Sequence, residues 1–423
     1  MSRRFRARSL LGCALVSIAA SAAWAQPRSA TTPDRPATLQ EAFEAAWVRQ
    51  PEAQSLDVRR DAASARREIA NRWTPEPPAV DVLAKTDQLT GDRGAQEYEA
   101  GIAIPLWLPG ERVRAGALAD AQLSAASSRA MAARLRVAEA VRDAWWLQQR
   151  AQVEVEVAQA RLTNARQLAV DVARRVRAGD LAPADQRQAD GAVASAQAAQ
   201  AEAARALATA RQQLRALTGI PVTATGKSAA TAEPLPPTPA DPTASHLEHP
   251  SVGALADRAQ VAQRETELAA LRKRANPELT LAATRERDEF GARWGTALTL
   301  GVRIPLGSNA RHRARVADAQ AELIETEGEL QLQRGRLSAE VDAARQRLEA
   351  SRIQLAAAER RAALARETRS FFEKSFRLGE TDLPRRLLIE LEAAEANRQV
   401  SLTRIEVAAA ISALRQALGL LPE

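Results

Sequence analysis

The sequence predicts a mainly α-helical protein with a small β part, built by tandem duplication from long coiled helices and pairs of strands. Three observations support this fold class: the composition, a repeat at a constant offset, and a change of hydrophobic period that occurs twice in the same order. Only 3% of the 423 residues are aromatic, whereas 46% are hydrophobic in a count that includes alanine. Such a composition is typical of long helices in coiled contact. We therefore expect no aromatic core of the kind that supports an enzyme cleft.

The repeat appears as short motifs that recur 200 residues later. Ile104-Pro105-Leu106 returns as Ile304-Pro305-Leu306, and Arg177-Ala178-Gly179-Asp180 returns as Arg377-Leu378-Gly379-Glu380. A fixed offset of this kind indicates duplication of one supersecondary unit. The predicted organisation is a signal peptide (1–25), a first repeat (26–220), a proline-rich linker (221–245) and a second repeat (246–423).

The amino terminus has the pattern of an export signal. Arg3, Arg4, Arg6 and Arg8 precede an apolar run and the small-residue site Ala23-Trp24-Ala25. Its removal lowers the formal charge from +7 to +3, because residues 1–25 carry these four arginines and no acid. A nucleic-acid partner is then not favoured. Cys13, the only cysteine, would be removed with the signal peptide. Leu11-Gly12-Cys13 faintly resembles a lipoprotein cleavage site, so lipidation of the amino terminus stays open as an alternative.

Each repeat predicts the same order of elements. In the first repeat, Thr38 and Glu41 are spaced as a capping box before a helix to about Arg72, and a strand pair follows. Long helices are expected over about 110–177 and 309–377, each about 100 Å at ~1.5 Å per residue. Return helices of about half that length run to Gly219 and Gly419. We expect the half-length helices to stack end to end along the long ones, as a wall of coiled packing with no globular centre.

The strand pairs alternate apolar and polar residues, which predicts one apolar and one polar face. The predicted apolar face, interpreted as lipid-facing, carries Tyr98, Ile102, Ile104, Trp294, Leu298, Leu300, Val302 and Ile304. The predicted polar face, interpreted as lumen-facing, carries Glu97, Glu99, Arg293, Thr299 and Arg303.

Four strands cannot close a barrel, since the smallest natural ones need about eight. A homotrimer would supply twelve strands and a closed ring of helices. The mature sequence also has no apolar run of the ~18–20 residues that a spanning helix requires. An exported chain of this type is expected in the periplasm, outside the cell, or in the outer membrane as strands.

At this point the sequence resembles the TolC-like outer-membrane efflux protein family, and within it the cobalt-zinc-cadmium resistance (CzcC-like) branch. The similarity covers essentially the whole mature chain. It rests on Thr38-Leu39-Gln40-Glu41-Ala42, Gln50-Pro51-Glu52, Asn276-Pro277-Glu278-Leu279, Gly301-Val302-Arg303-Ile304-Pro305-Leu306 and Leu414-Arg415-Gln416-Ala417-Leu418-Gly419. The chain departs from the branch at Trp107-Leu108-Pro109-Gly110, where a Leu-Gly-Gly-Lys type junction is common.

The resemblance implies a trimeric channel-tunnel, with a twelve-stranded β-barrel in the outer membrane and a trimeric α-barrel that crosses the periplasm. Such a duct receives its cargo, here heavy-metal cations, from an inner-membrane pump through a periplasmic adaptor protein. The glycine turns would lie at the periplasmic entrance, where Asp180, Glu380 and Asp382 are either adaptor contacts or simple helix-dipole partners. The predicted adaptor-docking residues are Arg177, Gly179, Asp180, Leu181, Arg377, Gly379, Glu380 and Asp382.

Other functions find less support in the residues. We identify no catalytic constellation, metal motif or phosphate loop, so no cofactor is expected and the chain is predicted not to be an enzyme. His246 and His249 are interpreted as solvated linker residues, and Trp145-Trp146 as core between helices. Tyr98 and Trp294 fit an interface belt or local packing equally. The alternative function is a periplasmic coiled-coil adaptor or scaffold, and the cargo stays open between metal ions and organic compounds.

Overall fold

The computed structural model describes residues 38–89, 91, 93–220, 232–237 and 249–423. The signal segment and most of the linker lie outside these residues. The first half comprises α1 (Leu39–Val48), α2 (Pro51–Asn71), β1 (Ala79–Thr86), β2 (Gln96–Pro105), α3 (Glu111–Ala178) and α4 (Pro183–Thr218). The second half comprises α5 (Pro250–Leu271), β3 (Glu278–Arg287), β4 (Gly295–Arg303), α6 (Asn309–Arg377) and α7 (Leu383–Ala417). The order repeats, as the constant offset predicts.

The two long helices have the predicted lengths. Helix α3 has 68 residues and α6 has 69, which corresponds to about 100 Å each. The return helices α4 and α7 pack along them, as do the half-length helices α2 and α5. The half-length helices meet end to end: Gly419, after α7, abuts His249 and Pro250 at the start of α5. Within the described part of the chain, no helix is long and apolar enough to cross a membrane.

The first predicted helix begins where expected, but the structure has two helices in its place. The capping box forms, with Thr38 Oγ1 accepting from the Glu41 amide (3.2 Å) and Glu41 Oε2 accepting from the Thr38 amide (3.1 Å). The helix then breaks between Val48 and Pro51. The break follows from Pro51, because the residue before a proline is disfavoured in helical conformation. Gln50 is accordingly extended, and Pro51 opens α2.

The four strands form one antiparallel sheet in the order β1-β2-β3-β4. The two predicted hairpins are therefore joined through β2 and β3, which belong to different repeats. At the centre of this seam, Gly101 is opposite Ala282. A Cβ atom on Gly101 would lie 3.2 Å from that of Ala282, so small side chains allow the close fit.

A compact hydrophobic core forms where α1, α4 and α7 meet α3. Trp145 and Trp146 are buried there with Phe43 and Leu214, and Trp146 Nε1 donates to the Ser412 hydroxyl at 2.9 Å. The prediction that the tryptophan pair is core is confirmed. The expectation of coiled packing with no globular centre needs a correction at this level, because four helices enclose Phe43, Trp145 and Trp146 in one buried cluster.

Candidate functional site at the sheet and the helical tips

One face of the sheet is apolar across all four strands, except at the end remote from the helices, where it carries Arg285 and Arg287. The register aligns Val80, Ile102, Leu281 and Leu300 across all four strands. These side chains are exposed, Leu300 at 72%. Six of the eight residues predicted on the apolar face lie on this face within β2 and β4: Tyr98, Ile102, Ile104, Leu298, Leu300 and Val302. The other two, Trp294 and Ile304, flank β4. An exposed apolar surface of this extent marks an interaction site with membrane or protein.

The opposite face carries polar and small side chains. Glu97 forms a cross-strand ion pair with Lys85 (3.3 Å), and Arg303 forms one with Glu278 (3.5 Å). Glu99 and Thr299 share this face by register, whereas Arg293 lies before the first residue of β4. Cross-strand charge pairs of this kind stabilise a solvated sheet surface. Leu83 is the apolar exception.

Trp294 packs at the end of the sheet remote from the helices. Its ring centroid lies 5.9 Å from that of Tyr98, and the guanidinium carbons of Arg285 and Arg287 lie 5.2 and 5.1 Å from it. These are cation–π contacts. The structure therefore shows the local packing role, and the interface-belt role stays a prediction.

A buried glutamate connects the sheet to the helices. Glu111, the first residue of α3, is fully buried. One carboxylate oxygen accepts from Arg272 Nε (2.5 Å), and the other accepts from Asn276 Nδ2 (2.8 Å) and the Leu108 amide (3.1 Å). Asn276 also donates to the Leu106 carbonyl at 3.0 Å. The carboxylate thus holds together the chain segments of both repeats where they leave the sheet.

A second buried carboxylate fixes part of the linker. Glu233 accepts two hydrogen bonds from Arg142 of α3, at 2.7 and 3.0 Å, and lies 3.2 Å from Arg415 Nε of α7. All three residues are buried. Arg142 also donates to Gln416 (2.6 Å) and to the Leu420 carbonyl (3.0 Å). The described part of the linker is therefore a strap held between the repeats, a role that its proline-rich sequence did not indicate.

The two helical turns have the same geometry. Gly179 and Gly379 both have positive φ, +86° and +80°, as expected for glycine at the end of a helix. The amide of Asp180 returns to the Arg175 carbonyl (2.9 Å), and that of Glu380 returns to the Ser375 carbonyl (3.0 Å). We call these two turns, 175–185 and 375–385, the helical tips.

The helical tips pack against each other through Phe376. This side chain is fully buried in a cluster with Val172 and Leu383, and Leu181 packs against the cluster. Arg175 donates to the Phe376 carbonyl at 3.0 Å, and its guanidinium carbon lies 4.7 Å from the ring centroid. A single aromatic side chain from the second repeat therefore joins the tips of both repeats.

The predicted docking residues divide into exposed and structural ones. Arg177, Asp180, Arg377 and Glu380 are exposed at the helical tips. Asp382 caps α7, because its carboxylate accepts from the Arg385 amide at 3.0 Å. Leu181 is half-buried against the tip cluster. Asp382 is also exposed but forms the cap, so the other four exposed charges are the ones that a substitution can change without removing this cap.

The histidines do not form a metal site in the part of the chain that the structure describes, where no group of three or more His, Cys, Asp or Glu side chains could hold an ion. His246 lies outside the described residues. The interpretation of His249 as a solvated linker residue is wrong, because it is buried and its Nδ1 accepts from the Ser251 amide (3.3 Å) as the N-cap of α5. The cause is the packing of the α7 end onto this turn.

Acidic side chains approach one another along the long helices. Partial desolvation, with the charges of Asp143 and Glu340, raises the pKa of Glu139 above its ordinary value, although the residue keeps an exposed surface. Burial likewise raises the pKa of Asp143, an effect that the Arg347 guanidinium opposes. Ionised carboxylates at these positions cost the folded state free energy.

The comparison with known families covers the first repeat. Residues 43–220, from within α1 to just after α4, match the family model described as outer membrane efflux protein. No curated protein matches the chain by sequence. The CzcC-like branch named from sequence is not confirmed by these comparisons.

Solved structures share the fold over nearly the whole chain. The chain is similar to CusC, whose crystal structures concern conformational changes that accompany folding and transmembrane channel formation. The TM-score is 0.74 and the identity 16%, over 90% of this chain and 92% of CusC. The outer membrane protein VceC from Vibrio cholerae gives 0.70 and 17% over 90% and 96%. The open-state MtrE outer membrane channel of Neisseria gonorrhoeae gives 0.71 and 17% over 90% and 89%. At these identities the likeness shows the fold alone, and it covers both repeats.

Proposed function

We propose that this protein is the outer-membrane exit duct of a tripartite efflux system, passive in itself and supplied by an inner-membrane pump through a periplasmic adaptor. The observation that carries the proposal is the sheet. It exposes an apolar face across four strands of eight to ten residues, a length close to the ~9–11 residues of a membrane-spanning strand. Helices of about 100 Å, a length that suits the periplasm, continue from one end of it.

The unpaired edges of the sheet support the proposed oligomer. Among the described strands, β1 and β4 are each paired on one side only. An exposed strand edge with apolar side chains is a template for pairing with another chain. A homotrimer in which β1 of each copy pairs with β4 of the next would close a twelve-stranded barrel, and the helices would close a tunnel below it.

The proposed cargo is a heavy-metal cation, on the sequence resemblance to the CzcC-like branch. Nothing in the duct needs to bind the cargo tightly, because selectivity in such a system would reside in the pump. The polar face of the sheet, with its paired charges, would then line a water-filled passage. Growth of a deletion strain on a panel of metal salts and of organic toxicants distinguishes the two classes of cargo.

Fractionation and complementation test the duct. We expect the mature chain to begin near Gln26, to sediment with outer membranes on a sucrose gradient, to run as a heat-labile trimer on gels, and to restore resistance to the deletion strain. Recovery in the soluble periplasmic fraction without detergent would contradict the proposal and favour the adaptor or scaffold alternative. Normal resistance in the deletion strain would contradict the export role alone.

A further inference from the structure

All four crossings between helices and sheet lie at the same end of the sheet. The register pairs the first residue of β1 with the end of β2, the end of β2 with the start of β3, and the start of β3 with the end of β4. The segments that continue from these strand ends are 66–78, 106–115, 271–278 and 303–315. We call them together the basic junction.

The basic junction is strongly cationic. It holds twelve Lys and Arg side chains against four carboxylates, a formal excess of eight. The whole chain after residue 25 has a formal excess of only three, so the remainder is net acidic. Positive charge is therefore concentrated where the helices join the sheet, and the overall composition of the chain conceals it.

Most of this charge is not used to hold the fold together. Five of the twelve cations bond within the chain: Arg67 to Asp120, Arg112 to the α2 carbonyls, Arg272 to Glu111, Arg303 to Glu278, and Arg315 to the Arg272 carbonyl. The other seven are exposed and form no ion pair within the described residues; they are Arg66, Arg72, Arg114, Lys273, Arg274, Arg311 and Arg313. Crowded unpaired cations repel one another, so an external anion would stabilise them.

Exposed apolar side chains lie among these cations. Trp73 is 92% exposed, Leu306 is 94% exposed and Val113 is 77% exposed. Tryptophan with neighbouring Lys and Arg is the side-chain combination typical of membrane–water interfaces. The strands of eight to ten residues would place the basic junction at one boundary of the apolar layer that the sheet crosses.

We propose that the basic junction binds the anionic headgroups of phospholipids, phosphatidylglycerol above all, in the periplasmic leaflet of the outer membrane. The proposal rests on the proposed function, which sets the sheet in that membrane. Arginine suits a phosphodiester because its planar guanidinium donates two parallel hydrogen bonds to phosphate oxygens. Trp73 and Leu306 would insert beside the headgroups and hold the junction at a fixed depth.

Lipid-dependent thermal stability tests the proposal. The full mature chain, purified in a neutral detergent, is titrated with dihexanoyl phosphatidylglycerol, with dihexanoyl phosphatidylcholine, or with inorganic phosphate, and melting is followed by circular dichroism. We expect phosphatidylglycerol to raise the melting temperature by several degrees at low salt and the other two to have little effect. The shift should fall by half or more in 0.5 M NaCl, since screening weakens exposed charges.

Matched variants assign the effect to the junction. The variant Lys273→Gln/Arg274→Gln/Arg311→Gln/Arg313→Gln removes four unpaired junction cations. The control Arg352→Gln/Arg360→Gln/Arg361→Gln/Arg366→Gln removes four exposed arginines of α6 that form no ion pair within the described residues. We expect the junction variant to lose at least half of the phosphatidylglycerol shift and the control to keep it. If the junction variant does not fold, the double variant Arg274→Gln/Arg313→Gln should still lose a measurable part.

Three outcomes would overturn the proposal. Equal shifts in the junction variant and the control would remove the junction from lipid binding. A shift from inorganic phosphate as large as that from phosphatidylglycerol would indicate a general anion site. A shift absent in the wild type, with loss of cross-linking to an acidic periplasmic protein in the junction variant, would indicate a protein partner. Because lipid binding is measured in detergent, failure of export or of outer-membrane fractionation reports separately on the proposed function.

Discussion

At the scale of single residues, the turning glycines and the buried carboxylates have the clearest physical roles. A Cβ atom at Gly379 would meet nothing within 4 Å, so the requirement for glycine there comes from the backbone alone. The left-handed conformation is unfavourable for residues with a side chain by about 1–2 kcal/mol. The open space around Gly379 also leaves the turn accessible to a partner protein.

Gly379→Ala should therefore lower the free energy of unfolding by about 1–2 kcal/mol, by imposing the left-handed penalty. The matched control is Gly328→Ala in the interior of α6, where the added Cβ likewise meets nothing within 4 Å and φ is helical. That change should raise stability by about 0.5–1 kcal/mol. Urea unfolding followed by circular dichroism measures both. Equal effects of the same sign would contradict a purely backbone cause.

Glu233→Gln should lower the free energy of unfolding by about 3–5 kcal/mol, because it leaves Arg142 and Arg415 buried without their carboxylate. The control Glu406→Gln removes a partly exposed pair with Arg150 (3.7 Å) and should cost less than about 1 kcal/mol. Chemical denaturation of the purified chain gives both values. A cost for Glu233→Gln no larger than that of the control would show that the linker strap contributes little to stability.

At the scale of elements, the sheet and the long helices can each be tested by a pair of substitutions. Two adjacent residues of β4 lie on opposite faces of the sheet. Leu300 lies opposite Leu281 on the apolar face, and Thr299 lies opposite Ala282 on the polar face. This adjacency makes a close internal control, because the two positions share strand and depth.

Leu300→Arg should abolish the trimer, because arginine facing lipid at mid-strand costs about 2–4 kcal/mol in outer-membrane strands. Thr299→Arg should leave the trimer intact, since it faces the proposed aqueous side. Samples of membranes run unheated on a denaturing gel measure trimer yield. Equal trimer for both variants would mean that the faces of the sheet are assigned the wrong way round or that neither faces lipid.

The acidic side chains along α3 predict a dependence on pH. Because the pKa of Glu139 is raised in the folded state, its ionisation destabilises the fold at neutral pH, and this cost disappears as pH falls below the ordinary value of 4.5. Glu139→Gln should therefore raise the melting temperature at pH 7 and have little effect at pH 4. Melting curves of both proteins at the two pH values measure this. A larger stabilisation at pH 4 than at pH 7 would contradict the sign.

At the scale of the whole molecule, stability and export can be separated at the helical tips. The turn is made by glycines and by the Phe376 cluster, whereas Asp180 and Glu380 are exposed. Charges at the rim of an interface influence partner choice more than they influence the fold. The helical tips are therefore the place where a change can affect a partner without affecting assembly.

Asp180→Lys/Glu380→Lys should leave trimer yield normal and break export, because reversed charges at the rim repel a matched adaptor. The control Glu349→Lys/Glu367→Lys reverses two exposed charges of α6 outside the helical tip and should leave both trimer and export normal. Cross-linking to the adaptor and growth on the exported toxicant are the measurements. Normal cross-linking and normal resistance in the tip variant would exclude docking through these acids.

Several parts of the structure could be predicted because they depend on local sequence. The helix lengths follow from uninterrupted periodicity ended by Gly179 and Gly379, and the capping box at Thr38 depends on two residues three apart. The break at Pro51 was also available from the sequence, through the restriction that proline places on Gln50, and was missed. The roles of Glu111 and Glu233 in joining distant segments could not be predicted, because Arg272 is 161 residues from Glu111 and Arg142 is 91 residues from Glu233, and no local pattern links these residues.

The sequence by itself determined the duplicated order of elements, the lengths of the helices and the two faces of each strand, because periodicity and turn residues act over a few neighbours. Only the tertiary structure decided that β2 pairs with β3, that four helices converge on the tryptophan pair, and that Phe376 joins the two helical tips. It also decided that cations from four distant segments meet at one end of the sheet. These features depend on which surfaces of distant segments bury each other. The free energy of packing the whole chain determines this, and the sequence of a short segment does not contain it.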